Sequence, residues 1–300
     1  MNIRQLECFV AVAEEGSFTR AARRIGITQP SLSQHIHALE LDVDGAVIER
    51  LARGIALTPA GRTLLPEARA AVRAVERGRR AARAALALET GELEIATVLS
   101  MAVGLLPRYI RLWHERYPDV GIRLQEFRHR ALLEDAVVQG VADFAIGPLP
   151  LRAWDGPLEQ VSWEEFVVVA PPDDPLASRR AVKLEELGDR EWVLYHSDHG
   201  LAGVLEEVCR RAGFSPRGTV RTSQAEGAAR LASAGIGPAL VPDNIVLPGI
   251  EGRVLHLQPP LIRDVAVYSR TELSRTAAAF VDVLRSEQRR RPRGATTIHL

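Results

Sequence analysis

The sequence has few cysteines, few aromatic residues and a single lysine. Of its 300 residues, 2 are cysteine and 5% are aromatic, and Lys183 is the one lysine. Cys8 and Cys209 lie far apart and show no metal-ligand spacing, which predicts two reduced thiols, no metal site and no disulfide framework. The sequence has no phosphate-binding loop and no nucleophile–base motif, so we expect neither a cofactor nor an enzyme.

Long hydrophobic runs are also missing. No apolar stretch approaches the roughly 18 residues that a transmembrane helix needs. The N-terminus lacks the basic-then-apolar layout of a signal peptide. We therefore expect a cytoplasmic protein that does not bind a membrane.

The charge is balanced over the whole chain but not along it. The 38 basic and 38 acidic residues give a net charge of zero. Residues 1–90 carry a net charge of +3, and the remainder carries −3. This weak asymmetry is typical of a chain with a DNA-binding end. The length predicts two or three folding units.

Three short helices are predicted in the first 45 residues. Apolar residues recur at three and four over residues 3–15, which indicates the first helix. Ser17 is a good N-cap for the second helix, and Gly26 ends it. Thr28 caps the third, with Pro30 in its first turn. Because only three residues join the second and third helices, the pattern predicts a helix-turn-helix.

The outer face of the third helix carries small and polar side chains. In a helix-turn-helix this helix enters the DNA major groove, and its N-terminal residues reach base edges. Gln29 and Gln34 can bond adenine in bidentate fashion, and Ser31 and Ser33 suit a base or a phosphate. The alternative is an ordinary solvated helix face.

Two short predicted strands, over residues 47–50 and 53–58, favour the DNA-binding interpretation. They flank a tight turn and so predict a wing beside the helix-turn-helix. Arg50 and Arg53 lie where a wing meets phosphate or the minor groove. The predicted DNA-binding residues are Ser17, Thr19, Gln29, Pro30, Ser31, Ser33, Gln34, His37, Arg50 and Arg53.

This N-terminal segment resembles the LysR-type transcriptional regulators. The matching stretches are MNIRQLECFVAVAEEGSFTRAARRIGITQPSLSQHIHALE and VIERLARGIALTPAG. The sequence departs from the family at Gln34, where arginine is usual, and at Ile48, where phenylalanine is usual. Residues 42–45 are also more acidic than in the family. The resemblance implies a winged helix-turn-helix over residues 1–58.

A long helix is predicted to follow, within a linker segment at residues 59–90. Its apolar stripe is half-exposed and needs a partner. The resemblance implies that this helix pairs two subunits, so we expect a dimer or a homotetramer. A basic run on the helix is interpreted as a solvated face rather than a DNA contact: Arg77, Arg79, Arg80 and Arg83.

The C-terminal half alternates strands and helices, which predicts α/β lobes with a largely parallel sheet. Strands are expected near 92–98, 121–127, 143–147, 165–170 and 265–269, with one helix over 102–116. The stretches GELEIATV, GVADFAIG and LASAGIGPALVP resemble the periplasmic-binding-protein-like effector domain of the same family. The resemblance implies a domain at 91–288, with lobe I at about 91–161 and 266–288 and lobe II at about 162–265. Residues 289–300 are basic and patternless, which predicts a disordered tail.

Polar residues at the carboxyl ends of the predicted strands form the candidate effector site. Ligands of open α/β sheets bind there, and helix N-termini suit anions. The predicted effector-binding residues are Ser100, Met101, Phe127, Arg128, His196, Ser197, Thr222 and Gln224. The string at 196–199, His-Ser-Asp-His, also suggests metal or hydrolytic chemistry, but adjacent loop residues point in different directions.

The sequence therefore predicts a multidomain protein: an all-α winged helix-turn-helix, a long linker helix and a two-lobed α/β domain. The expected function is sequence-specific DNA binding controlled by a small, anionic effector. Expected partners are double-stranded DNA, the effector, further copies of the chain and RNA polymerase. One alternative is a two-lobed small-molecule-binding protein or enzyme with an incidental helix-turn-helix. Another is a DNA-binding protein whose pocket is empty and which responds to no ligand.

Overall fold

The computed structural model of the chain divides into two compact units. It describes residues 1–51, 54–86, 91–246, 248–286 and 290–299. The first unit is Met1–Arg83 and the second is Ala84–Leu300. No helix among the described residues is long and apolar enough to cross a lipid bilayer.

The first unit is a winged helix-turn-helix followed by a long helix. Its elements are α1 (Ile3–Glu15), α2 (Phe18–Ile25), α3 (Gln29–Asp42), β1 (Ile48–Arg50), β2 (Ile55–Leu57) and α4 (Pro59–Leu86). Ser17 and Thr28 cap α2 and α3 through their side chains, as predicted. Gly16 and Gly26 end α1 and α2 at φ values of 60° and 71°, where glycine is favoured.

The core of this unit joins all three short helices to the wing and α4. Phe9, Leu32 and Leu39 are fully buried at its centre. Gly61, in the first turn of α4, lies against the main chain of the wing. A Cβ there would come within 2.0 Å of the Val47 carbonyl oxygen, so only glycine permits this close approach.

The second unit contains the remaining elements. Its strands are β3 (Gly91–Val98), β4 (Val120–Phe127), β5 (Phe144–Pro148), β6 (Leu158–Ala170), β7 (Ala181–Val182), β8 (Leu194–Tyr195), β9 (Arg221–Thr222), β10 (Ala239–Pro242), β11 (Arg253–Tyr268) and β12 (Thr296–Thr297). Its helices are α5 (Leu99–Gly104), α6 (Leu106–Arg116), α7 (Arg130–Val138), α8 (Gly200–Arg211), α9 (Ala225–Ser233) and α10 (Arg275–Ser286). The single helix expected over 102–116 is two helices, α5 and α6.

Two long strands connect the two lobes of this unit. The main sheet has the order β10-β6-β11-β5-β3-β4. β3 pairs in parallel with β4 and β5, whereas β11 pairs antiparallel with β5 and β6. The β6–β11 pair runs from one lobe into the other, with a register shift between Val265 and Ala266. The expected short runs at 165–170 and 265–269 are therefore the ends of strands of 13 and 16 residues.

Each lobe has its own hydrophobic core. The core of lobe I is centred on Trp113, Phe144 and Phe280, all fully buried. The core of lobe II includes Phe166 and Trp192. The β6–β11 strands thus link two lobes that each pack around a separate core.

The prediction of a disordered tail at 289–300 is wrong for the residues that the structure describes there. β12 pairs in parallel with Leu261 and Ile262 of β11. Ile298 is 1% exposed and belongs to the core of lobe II. Arg291 also forms an ion pair with Asp264. A single apolar anchor and a two-residue strand carry too little periodicity to be recognised from sequence.

Candidate functional site

The outer face of α3 presents the predicted DNA-reading side chains. Gln29, Pro30, Gln34 and His37 are exposed, and Ser31 and Ser33 are half-buried beside them. Thr28 fixes the start of the helix, because its Oγ1 accepts a hydrogen bond from the Ser31 N–H at 3.4 Å. These side chains can reach an approaching DNA groove without unfolding any part of the unit.

The wing is held against the same face. Arg50, on β1, places its guanidinium 4.6 Å from the centroid of the Phe18 ring. Its Nη2 also donates to the Ser33 Oγ at 3.4 Å. The other predicted wing residue, Arg53, lies outside the described residues. Arg50 is therefore a cation held beside the outer face of α3.

The two predicted residues on α2 differ in role. Ser17 is the N-cap, and its Oγ accepts a hydrogen bond from the Arg20 N–H at 3.5 Å. Thr19 is exposed in the first turn of α2. Ser17 thus has a structural role as the cap of α2.

Sequence reasoning did not assign positioning roles to Phe18 and Glu40. The ring of Phe18 packs against the guanidinium of Arg50. One carboxylate oxygen of Glu40 accepts hydrogen bonds from the N–H groups of Val47 and Ile48, at 3.0 and 3.3 Å. Glu40 thereby fixes the wing to the end of α3, a contact that no local pattern reveals.

A cavity of 340 Å³ lies between the lobes of the second unit. The ends of β3, β4 and β5 form one side of it, and the N-terminus of α8 forms the other. The Gly200 N–H donates to the Arg128 carbonyl oxygen at 2.9 Å, and Arg128 pairs with Asp198 at 3.3 Å. The two lobes therefore touch at the edge of the cavity.

Three arginine side chains line this cavity: Arg128, Arg130 and Arg263. Arg128 is exposed, whereas Arg130 and Arg263 are 6% and 5% exposed. Burial lowers the pKa of Arg130, because a guanidinium loses hydration there. One acidic side chain, Glu206, also lines the cavity, so the lining favours an anionic ligand.

His199 caps α8 at the cavity. Its Nδ1 accepts a hydrogen bond from the Leu201 N–H at 3.1 Å, and its ring stacks on Tyr195 with centroids 5.0 Å apart. Burial lowers the pKa of His199 to about 4. The ring is therefore neutral near pH 7, which an acceptor role at Nδ1 requires.

The structure brings three of the eight predicted effector residues together at the cavity: Ser100, Arg128 and Ser197. The prediction for Met101 is wrong, because its side chain is fully buried in the core of lobe I. Four others lie outside the cavity lining: Phe127, His196, Thr222 and Gln224. Phe127 packs against the lobe I core, and the Thr222 Oγ1 accepts from the Gln224 N–H at 3.3 Å.

Sequence reasoning missed Arg130, Arg263 and His199 in the lining. The charged pair Arg263-Asp264 between apolar residues of β11 was the available signal, since a buried charge needs a reason. The string at 196–199 does not gather a metal site. No group of three metal-ligating side chains occurs within the described ranges.

Together these features define a protein with a DNA-binding winged helix-turn-helix and a two-lobed small-molecule-binding domain. The model "Bacterial regulatory helix-turn-helix protein, lysR family" matches residues 3–62, and "LysR substrate binding domain" matches residues 87–289. The chain belongs to the LysR family of transcriptional regulators. The relatives favour this reading over a binding protein or enzyme with an incidental helix-turn-helix.

Individual relatives are similar in sequence to this protein over most of the chain. The transcriptional regulator BudR of Raoultella terrigena is 32% identical over 94% of this chain and 100% of its own. A probable hydrogen peroxide-inducible genes activator of Streptomyces viridosporus is 31% identical over 92% of this chain and 90% of its own. The crystal structure of CbnR, a LysR family transcriptional regulator, superposes with a TM-score of 0.73 at 23% identity, covering 95% and 99% of the two chains. The CbnR likeness supports the fold.

Proposed function

We propose that this LysR-family regulator reads DNA with the α3 face and senses an anionic small molecule in the cavity between its lobes. The proposal of an anionic effector rests on three arginines that line a cavity bounded by both lobes. Base contacts come from Gln29, Gln34 and their neighbours on α3, and a phosphate contact comes from Arg50. Ser100, Arg128 and Ser197 contact the effector.

The regulatory step is a change in the relative position of the lobes. A ligand bound between them stabilises the closed arrangement, because it contacts groups on both sides of the cavity. α4 pairs two chains, and dimers pack into a tetramer. Closure then alters the spacing of the DNA-binding units and the bending of DNA, and so contact with RNA polymerase. A coupling free energy of about 1–3 kcal/mol is enough for such a switch.

The protein acts in the cytoplasm without catalysis of its own. Its relatives are transcriptional regulators, and a sensor needs reversible binding rather than turnover. Ligand release then resets the protein without any chemical step.

Peroxide sensing is not the proposed signal, although three of the relatives are named probable hydrogen peroxide-inducible genes activators. The sequence has two cysteines, and both are fully buried in separate cores. Burial raises the pKa of the Cys209 thiol to about 12 and also raises that of Cys8. Because the thiolate is the form that reacts, neither residue suits oxidation by peroxide.

A DNA-binding assay tests the function. The full chain is titrated onto DNA from upstream of its own gene at several salt concentrations. We expect sequence-selective binding that weakens steeply with salt, as phosphate contacts require. Equal affinity for unrelated DNA of the same length would contradict the proposed readout by α3.

A further inference from the structure

The three arginines that line the cavity differ in what their guanidinium groups already bind. Arg263 donates from Nε, at 2.8 Å, and from Nη2 to one carboxylate oxygen of Glu164. Arg128 is exposed and pairs with Asp198. Arg130 donates from Nη1 to the Leu149 carbonyl oxygen at 2.7 Å. Arg263 and Arg128 are therefore already paired with acids.

The Nε and Nη2 atoms of Arg130 are buried without a hydrogen-bond partner in the part of the chain that the structure describes. These two donors form one edge of the planar guanidinium, and such an edge binds both oxygens of a carboxylate in parallel. Arg263 binds Glu164 through the same two atoms. Arg130 thus presents a carboxylate-binding edge that no described residue pairs with.

The acid closest in sequence on α7, Glu134, does not fill this edge. Its Oε1 lies 3.9 Å from Nε of Arg130, beyond hydrogen-bond distance. Both of its oxygens accept other hydrogen bonds, from the Leu151 N–H and from Nε of Arg152, each at 2.9 Å. Glu134 compensates the charge of Arg130 in part but leaves its donors unsatisfied.

A second unpaired group lies close to Arg130. The hydroxyl of Tyr268 is buried without a hydrogen-bond partner among the described residues. A Cβ at Gly147 would lie 3.3 Å from this hydroxyl, and Arg130 binds the carbonyl two residues further along. Leaving a buried donor unsatisfied destabilises the protein, and more so when the donor is charged. An acceptor supplied by a ligand would remove much of this cost.

The opposite side of the cavity limits what else the ligand carries. Glu206 of α8 lines that side, so a second carboxylate there would meet a like charge. Apolar side chains fill much of the remaining wall, among them Val98, Leu99 and Leu201. The cavity lining therefore suits a ligand that has one charged end, an apolar middle and a neutral second end.

We propose that the effector is a monocarboxylate with an apolar body, bound through parallel hydrogen bonds to Nε and Nη2 of Arg130. This assignment rests on the proposed function, which makes the cavity the effector site. It names the group that anchors the ligand and excludes dicarboxylates as the preferred class.

Ligand binding to the full chain tests this assignment. The probes are the monocarboxylates benzoate, phenylacetate and hexanoate, the amide of each, and the dicarboxylates terephthalate and adipate. Calorimetry and thermal shifts are measured for the wild type, Arg130→Gln, Arg130→Lys and Arg111→Gln. Arg111→Gln removes the same charge from the exposed surface of α6, outside the cavity lining, and is the matched control.

We expect at least one monocarboxylate to bind the wild type, with its amide and the dicarboxylates binding at least about tenfold more weakly. Arg130→Gln and Arg130→Lys should each lose about tenfold or more in affinity, since lysine keeps the charge but not the paired donors. Arg111→Gln should lose less than about threefold in affinity, because its guanidinium is exposed to solvent and does not line the cavity. The thermal midpoint without ligand shows whether each variant is folded.

Three results would overturn the assignment: no monocarboxylate binds, an amide or a dicarboxylate binds as tightly, or Arg111→Gln loses as much affinity as Arg130→Gln. The effect of a bound acid on the DNA footprint is read separately. A footprint that still responds to the acid in Arg130→Gln refutes the anchor but leaves the proposed function intact. A footprint that ignores a tightly bound acid refutes the proposed function.

Discussion

The guanidinium of Arg50 lies over the ring of Phe18, 4.6 Å from its centroid, and so joins the wing to the second helix of the DNA-binding unit. The ring limits the directions that this long side chain can take. Arg50 is therefore held in place before DNA arrives, and less conformational entropy is lost on binding.

Replacing Arg50 should weaken DNA binding without changing sequence preference. Arg50→Gln is expected to lower affinity uniformly and to reduce the salt dependence, the slope of log affinity against log salt, by about 1. Fluorescence anisotropy over a salt series measures both. Arg79→Gln, on the exposed surface of α4, is the charge-matched control and should leave both values unchanged. An unchanged slope in Arg50→Gln would remove Arg50 from the phosphate contacts.

Replacing Gln34 should change sequence preference without changing the salt slope. Gln34 is exposed on the reading face of α3, and a bidentate contact to a base contributes about 1–3 kcal/mol of discrimination. Gln34→Ala should lose this discrimination at one base pair of the binding site. Affinity for a set of sites with single base changes measures it. Equal discrimination at every position in wild type and variant would show that Gln34 reads no base.

Low pH should destabilise the second unit through His199. Burial lowers the pKa of this histidine from 6.5 to about 4. Between pH 6.5 and pH 4 the unfolded chain binds a proton that the folded chain does not. The contribution of His199 to the free energy of unfolding is therefore fully present above pH 6.5 and is lost as the pH drops towards 4. The contribution is about 3 kcal/mol.

Denaturant unfolding at pH 7.5 and pH 4.5 measures this effect. The comparison variant is His199→Asn, which removes the titrating ring but keeps a side chain that caps helices well. The loss of unfolding free energy between the two pH values should be smaller in His199→Asn than in the wild type. An equal loss in both proteins would show that other groups cause the pH dependence.

The C-terminal segment should contribute to the stability of lobe II. Ile298 is 1% exposed in that core, and removing a buried isoleucine side chain to alanine costs about 2–4 kcal/mol. Ile298→Ala should therefore lower the free energy of unfolding measured in denaturant. Ile236→Ala is the control, because Ile236 is 44% exposed. Equal, small effects of both substitutions would mean that the tail does not pack as described.

Local signals in the sequence predicted the DNA-binding unit well, because its helices start and end at their own capping residues. Ser17, Thr28 and Gly26 each act within one turn of their own position. The strand β11 was harder to predict from the sequence, because Pro259 and Pro260 argue against a continuous strand. The structure accommodates them where the register shifts between His256 and Leu261.

The cavity lining was predicted only in part, for a similar reason. Ser100 and Arg128 follow strands directly, so their place at the edge of the sheet could be inferred. Arg130 and Arg263 reach the cavity from a helix start and from the middle of a long strand. Their partners, Leu149 and Glu164, are 19 and 99 residues away in sequence. Contacts at that separation have no local signature.

A nuclease footprint on the DNA upstream of the gene, with and without a monocarboxylate that stabilises the protein, tests the central claim most directly. The account predicts a protected region on that DNA, with a length or a set of enhanced cleavage sites that changes when the acid is added. The amide of the same acid should leave the footprint unchanged. A saturating acid that leaves the footprint and the affinity for DNA unchanged would contradict the claim that the cavity controls DNA binding.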